Sequence, residues 1–138
     1  MTHPKTSVTH EVTAHLAVAA EPPVPMPAEL HFDRRDPYAV RLSVGSTSLG
    51  TVDWVFARDL LAQGLHWEAG TGDVVVAPRF DGRVRIVVRT RAGAAALDID
   101  VPAVERFLER TWRVVPLGAE GRHLELDRVV TELLSGSR

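Results

Sequence analysis

The chain contains no cysteine. Disulfides, thiolate nucleophiles and cysteine metal sites are therefore excluded, and the composition fits a reducing compartment. A basic excess is also missing: 16 Lys+Arg stand against 18 Asp+Glu, for a formal net charge of −2. Nucleic-acid binders draw much of their affinity from phosphate contacts and usually carry a cationic surplus, so such a role would here need a local patch. No apolar run approaches the roughly 18 residues that cross a bilayer, which argues against membrane insertion. Met1 to Ser7 is polar and lacks the apolar stretch of a secretory signal; the chain is expected in the cytoplasm. No internal repeat occurs, and the one biased segment is the proline run Glu21-Pro-Pro-Val-Pro-Met-Pro27.

What is present is enough for one core. With 138 residues, 45% of them hydrophobic and 25% charged, the chain has the size and balance of a single globular domain. Residues 1–6 read as a loose tail and 7–138 as one domain. Val8, His10, Val12, Ala14, Leu16 and Val18 alternate with mostly polar neighbours, the period of a long strand. The proline run is expected to end it, since proline cannot donate to a ladder, and to act as a stiff connector. Leu30 to Asp33 reads as a short strand, Val40 to Val44 as another. Gly45 to Gly50 is a turn. Val52, Trp54 and Phe56 share one face of the next strand. Ala57 to Gln63 takes up helical spacing and stops at Gly64, a residue common just past a helix end.

Further strands are expected at Asp73 to Pro78, at Arg83 to Arg91 and around Ala95 to Val101. A two-residue loop at Gly93-Ala94 would set Val88 opposite Ile99 and Ile86 opposite Val101 inside, and Arg89 opposite Asp98 outside. Pro102 opens a helix with Val104, Phe107, Leu108, Thr111, Trp112 and Val115 on its apolar side and Glu105, Arg106, Glu109 and Arg113 outward. Asp127 is expected to cap a last helix with Val129, Val130, Leu133 and Leu134 on one side, closed by Gly136. The sum is an α+β protein with six or seven mostly antiparallel strands, a short mid-chain helix and two C-terminal helices.

The search for chemistry returns little. The histidines (His3, His10, His15, His31, His66 and His123) form no H-E-x-x-H. His31 and Asp33 share a strand face but have no evident third ligand. Ser46 and Ser48 lie in a turn without a G-x-S-x-G context. Gly70-Thr-Gly-Asp73 precedes a strand, whereas a phosphate cradle needs a following helix. Arg83, Arg85, Arg89 and Arg91 align on one strand face and form a candidate basic stripe. Asp98 partly neutralises it, and no aromatic interleaves for base stacking. Trp67 sits between His66 and Glu68 in a short connection; it either caps the core edge or forms a protein-binding anchor, a role in which tryptophan is enriched.

Val52-Asp-Trp-Val-Phe-Ala-Arg-Asp-Leu-Leu-Ala-Gln-Gly-Leu-His66, followed by Gly70-Thr-Gly-Asp-Val-Val-Val-Ala-Pro78, closely resembles the signature of the SsgA-like proteins, sporulation and cell-division regulators of filamentous actinobacteria. Asp36-Pro-Tyr-Ala-Val40 and Phe107-Leu-Glu-Arg-Thr111, with Val115-Pro116 and Gly118, match further family segments, so the resemblance spans about Val8 to Leu134. It implies a fold of curved antiparallel sheets with helices, similar to the Whirly-type single-stranded nucleic-acid binders, assembled as a trimer. It also implies a non-enzymatic adaptor without cofactor or catalytic residues, recruited to division septa, with a paralogous SsgA-like protein, the tubulin-like Z-ring protein or cell-wall machinery as partners. A Whirly-like single-strand binder is the alternative. Where the family pattern has Pro after Gly-Leu-His, this chain has Trp67-Glu68-Ala69. Trp67, Glu68, Arg58 and Asp59, taken as exposed, are the candidate partner-binding residues.

Overall fold

The computed structural model describes residues 6–17, 21–46, 50–91 and 93–135. Val18, Ser48 and Gly136, which entered the sequence expectations, lie outside them. The elements are β1 (Ser7–Ala17), β2 (Val24–Asp33), β3 (Ala39–Ser46), β4 (Gly50–Ala57), α1 (Arg58–Gln63), β5 (Val74–Pro78), β6 (Arg83–Thr90), β7 (Gly93–Asp100), α2 (Val101–Val114) and α3 (Glu120–Ser135). The seven strands make one antiparallel sheet in the order β4-β3-β2-β1-β7-β6-β5, curled into a half-barrel. This is the α+β class expected.

β1 joins two meanders. It pairs with β2 from Ser7↔Asp33 to Leu16↔Val24, but with β7 only through His15↔Asp98, Leu16↔Leu97 and Ala17↔Ala96. Strand alternation sends one set of side chains inward: Val8, Ala14, Leu30, Phe32, Val40, Leu42, Phe56, Val84, Ile86, Leu97 and Ile99 are buried. α2 covers them with Val104, Phe107 and Leu108; each large side chain so buried contributes about 1.5–3 kcal/mol. Pro102 stands in the first turn of α2, where its missing N–H leaves no helical bond unmade. On the far side of α2, Arg110 Nη1 lies 3.2 Å from both the Thr9 carbonyl and His10 Nδ1, tying the helix to β1.

Four expectations need correction. The proline run does not stop short of the sheet: β2 already begins at Val24. Pro25 and Pro27 lie two apart, so their missing donors point to the same edge, and β3 pairs with β2 only from Ala28 to His31. Along this unpaired length proline is tolerated.

The β6–β7 register also differs. Asp98 faces Arg85 and Asp100 faces Arg83, while Arg89 faces Ala94. The slip is by an even number of residues, so every apolar side chain keeps its face and the hydrophobic pattern cannot detect it. The observed ladder gives two Arg–Asp pairs where the expected one gave a single direct pair. Gly93, expected in the loop, is the first residue of β7.

The last helix starts at Glu120, so Asp127 lies within it rather than at its cap. Val129, Val130, Leu133 and Leu134 are exposed. Finally, Val52 shares the inward face with Trp54 and Phe56 but is 56% exposed, whereas Phe56 is 7% exposed. Burial fades along edge strand β4 away from the end where α1 packs.

Gly64 does close α1, but in right-handed helical conformation at φ −64°. What requires glycine there is space: a Cβ would lie 2.1 Å from Val76 Cγ1 on β5. Gly64→Ala is therefore expected to destabilise the protein by about 1–3 kcal/mol, the cost of overpacking, although its backbone angles suit alanine. Urea unfolding checks this, and adding Val76→Ala should make the double variant less destabilised than the sum of the two singles.

His10 generates a second prediction. Burial, then the charges of Arg110 and Arg106, hold its imidazole pKa below the ordinary histidine value. The unfolded chain therefore takes up this proton first as the pH falls below about 6.5, so stability declines through that window and recovers as the pH rises. His10→Gln, which keeps an acceptor for Arg110 but does not titrate, should flatten the dependence of unfolding free energy on pH between neutral and mildly acidic conditions.

Candidate protein-docking groove

The four candidate partner residues separate on folding. Arg58, expected to be exposed, is 1% exposed and belongs to the interior. It is the first residue of α1 and points back beneath the sheet. Its Nη1 donates to the Val115 carbonyl at 2.8 Å and to the Thr111 carbonyl at 3.4 Å, its Nη2 lies 3.5 Å from Glu120 Oε1, and its guanidinium carbon stands 4.9 Å from the Phe32 ring centre. Desolvation lowers its pKa from the usual arginine value, with Glu120 opposing. The sequence reading failed here because Asp59 follows immediately and an Arg-Asp pair at a helix start looks solvated. The alternative, an arginine facing inward to meet carbonyls at the end of a distant helix, leaves no local trace.

Asp59, Trp67 and Glu68 are exposed as expected. Trp67 is 58% exposed, so it stands outside the core. The chain reaches it through a tight turn: Trp67 N donates to the Gln63 carbonyl at 3.1 Å, and Ala69 then bridges to Val76 on β5. The His66 and Trp67 rings stand 5.9 Å apart at 40°.

Around Trp67 a groove of about 470 Å³ opens between α1 and α2. Leu65, Leu108, Trp112 and Leu117 give it apolar surface, and Leu108 at the bottom is fully buried. Asp59, Glu105 and Glu109 line it as exposed carboxylates, with no lysine or arginine in the lining. Glu68 stands beside it in sequence but not in its lining. The α2 residues were missed as functional candidates because each has an ordinary helical explanation. Glu105, Glu109 and Trp112 do recur at helical spacing beside the apolar face, which is the signal that could have joined them to Trp67.

A larger concavity of about 750 Å³ lies against the sheet, lined by Glu11, Glu29, Arg41 and Asp53 among others. It offers no exposed aromatic, and Glu11 sits directly opposite Glu29 across the strands.

The basic stripe dissolves into pairs. Arg85 makes a two-pronged contact with the buried Asp98, at 2.8 and 2.9 Å, which raises the arginine pKa further. Arg83 Nε lies 3.1 Å from Asp100, and Arg79 approaches Asp98 at 3.7 Å. Arg89 and Arg91 remain exposed at the hairpin end. The arrangement gives the single-strand-binding alternative no support. For His31 and Asp33, the histidine lies 2.9 Å from Thr9 Oγ1 and the aspartate engages Arg35 at 3.0 Å. Among the described residues no three metal-capable side chains converge, and no helix is long and apolar enough to cross a membrane.

Fold and groove together define a class: a curled antiparallel sheet backed by helices, with an apolar, acid-lined groove on its surface. The family model described as "Streptomyces sporulation and cell division protein, SsgA" matches residues 26–120, and the chain belongs to that family. It is 44% identical over 135 residues to the sporulation-specific cell division protein SsgB of Streptomyces coelicolor, covering 96% of this chain and 98% of that one. It is also 44% identical to the SsgB of Kineococcus radiotolerans, over 96% of this chain and 83% of the relative. A solved structure concerning SsgB of Streptomyces coelicolor superposes with a TM-score of 0.80 at 44% identity, covering 89% of this chain and 99% of that one. The SsgA-like sporulation-specific cell division protein from Thermobifida fusca gives 0.86 at 36% identity, covering 96% and 98%.

Removing the buried cation should be costly. Arg58→Ala leaves Glu120 buried without its partner and removes the donor that Arg58 supplies to the Val115 carbonyl. The expected loss is about 3–5 kcal/mol, read as a lowered midpoint in chemical denaturation. Arg83→Ala, whose partner Asp100 is well exposed, should cost no more than about 1 kcal/mol.

Proposed function

We propose that this chain is a non-enzymatic adaptor of sporulation-specific cell division that positions septum or cell-wall machinery by binding other proteins. The observation that carries the reading is the match, over nearly the whole chain, to relatives named sporulation-specific cell division protein SsgB. The groove supports it physically. A half-exposed tryptophan beside a second tryptophan, over a buried leucine, is the composition of a protein-contact anchor. The partners in this reading are a paralogous SsgA-like protein, the Z-ring protein or wall-synthesis proteins. The working unit is a homo-oligomer, a trimer, residing in the cytoplasm and recruited to septa.

The test is where the protein goes. A fluorescent fusion at native expression in sporulating hyphae should form regularly spaced bands at future septa, and deletion of the protein should block or misplace septation. A diffuse signal throughout sporulation would overturn the adaptor reading.

A further inference from the structure

We infer that the groove between α1 and α2 receives a short segment of a partner protein in which one bulky apolar side chain is flanked by arginine or lysine. This rests on the adaptor reading and deepens it by naming the chemistry of the recognised segment.

The apolar half of the inference comes from Trp67, Trp112, Leu117 and the fully buried Leu108. At about 470 Å³ the groove accommodates a large side chain with its neighbours, not a folded domain. Surface of this kind is stabilised when a partner covers it, and tryptophan supplies wide contact area with few rotors to immobilise.

The charged half comes from Asp59, Glu105 and Glu109. No ion pair among the described residues involves any of them. Glu105 and Glu109 stand one helical turn apart on α2, so they repel each other in the free protein. A cation placed between them relieves that repulsion, whereas an anion adds to it. The same field turns away nucleic acid and acidic peptides and raises the encounter rate of basic ones. His66 is the one basic residue type in the lining, and its ring lies 5.9 Å from that of Trp67.

The probe is a dye-labelled, amidated peptide carrying one leucine between two pairs of arginines, titrated with the full chain and followed by fluorescence anisotropy. Saturable binding that weakens with salt is expected. Trp67→Ala should weaken it by about 30-fold, the scale of an interface hot spot, and leucine to alanine in the peptide should act similarly. Glu105→Lys/Glu109→Lys should abolish binding of the arginine peptide and create binding of a glutamate-flanked one. All three residues are exposed, so unchanged circular dichroism and unfolding midpoints will show that the variants fold.

The inference is overturned if no saturable binding occurs, if neither variant changes it, or if the unmodified chain prefers the glutamate peptide or single-stranded DNA. It is also overturned if Trp67→Ala alters only the size of the protein's own assembly, because the groove would then be a self-interface. Its failure is separable from that of the adaptor reading. Septal bands from a Trp67→Ala fusion with no peptide binding would sink the groove and leave the adaptor. Peptide binding with a diffuse wild-type fusion would do the reverse.

Discussion

A single buried guanidinium holds the helical layer together. Taking a cation out of water costs several kcal/mol even after relaxation, and Arg58 is compensated from three directions. The last turn of α2 offers the Thr111 carbonyl and the residue just past it the Val115 carbonyl, the first turn of α3 offers Glu120, and β2 offers the Phe32 ring. The β2 ring and the junction of α2 with α3 are far apart in sequence, and the arginine of α1 meets both. The Val115 carbonyl lies past the last helical hydrogen bond, among those a helix end leaves without an internal donor, so the arginine satisfies a need that the fold itself creates. The bargain is directional as well as energetic. Only if α1 starts at residue 58 and α2 ends at 114 does the fork reach both carbonyls, so the cation selects one placement of the helices on the sheet.

Local pattern made most of the sheet legible, and the failures share a cause. Local pattern located all seven strands, β2 only from Leu30 on, and alternation located the inward residues of β3, β6 and β7, because a half-buried strand writes its burial directly into every second residue. The β6–β7 register escaped because an even slip preserves that writing. The choice was made by charge instead, with Arg85 seated on the buried Asp98 and Arg83 on Asp100. β2 was cut short because prolines were counted without asking which edge they face. Asp127 was taken for a cap although Gly118, at φ +85°, had already turned the chain for a helix beginning at Glu120. In each case the deciding feature, an edge, a cross-strand charge or an upstream turn, lies outside the local pattern.

The candidate site shows the same division. Trp67 was recognised because nothing nearby explained it: it lies beyond the stop at Gly64 and belongs to no apolar stripe. Its neighbours on α2 could not be recognised that way, since Glu105 and Glu109 look like any solvated helix face and Trp112 like any core residue. Only the fold, which brings α1 and α2 to one groove, makes them one surface. Arg58 was the opposite error, a charged side chain assigned to solvent by its type alone.

The motif from Val52 to Pro78 thus performs two tasks that depend on each other. Phe56, Arg58 and Leu61 are interior and fix α1, while Asp59 and Trp67 are left outside by the same helix. The segment carrying Trp67 is pinned at both ends, to Gln63 by a backbone bond at 3.1 Å and to Val76 through Ala69 at 2.8 Å. The close approach of Gly64 to Val76 holds α1 against β5, allowing no side chain between them. A tryptophan presented from a loop so constrained has little freedom left to lose when a partner covers it, and ordering entropy is a large part of what association must overcome. The opposite wall is held just as firmly, because Arg58 grips the end of the helix that carries Trp112 and precedes Leu117. The interior half of the motif therefore sets the shape of the exposed half, and in the proposed docking a buried cation almost without exposed surface fixes the walls that a partner would meet.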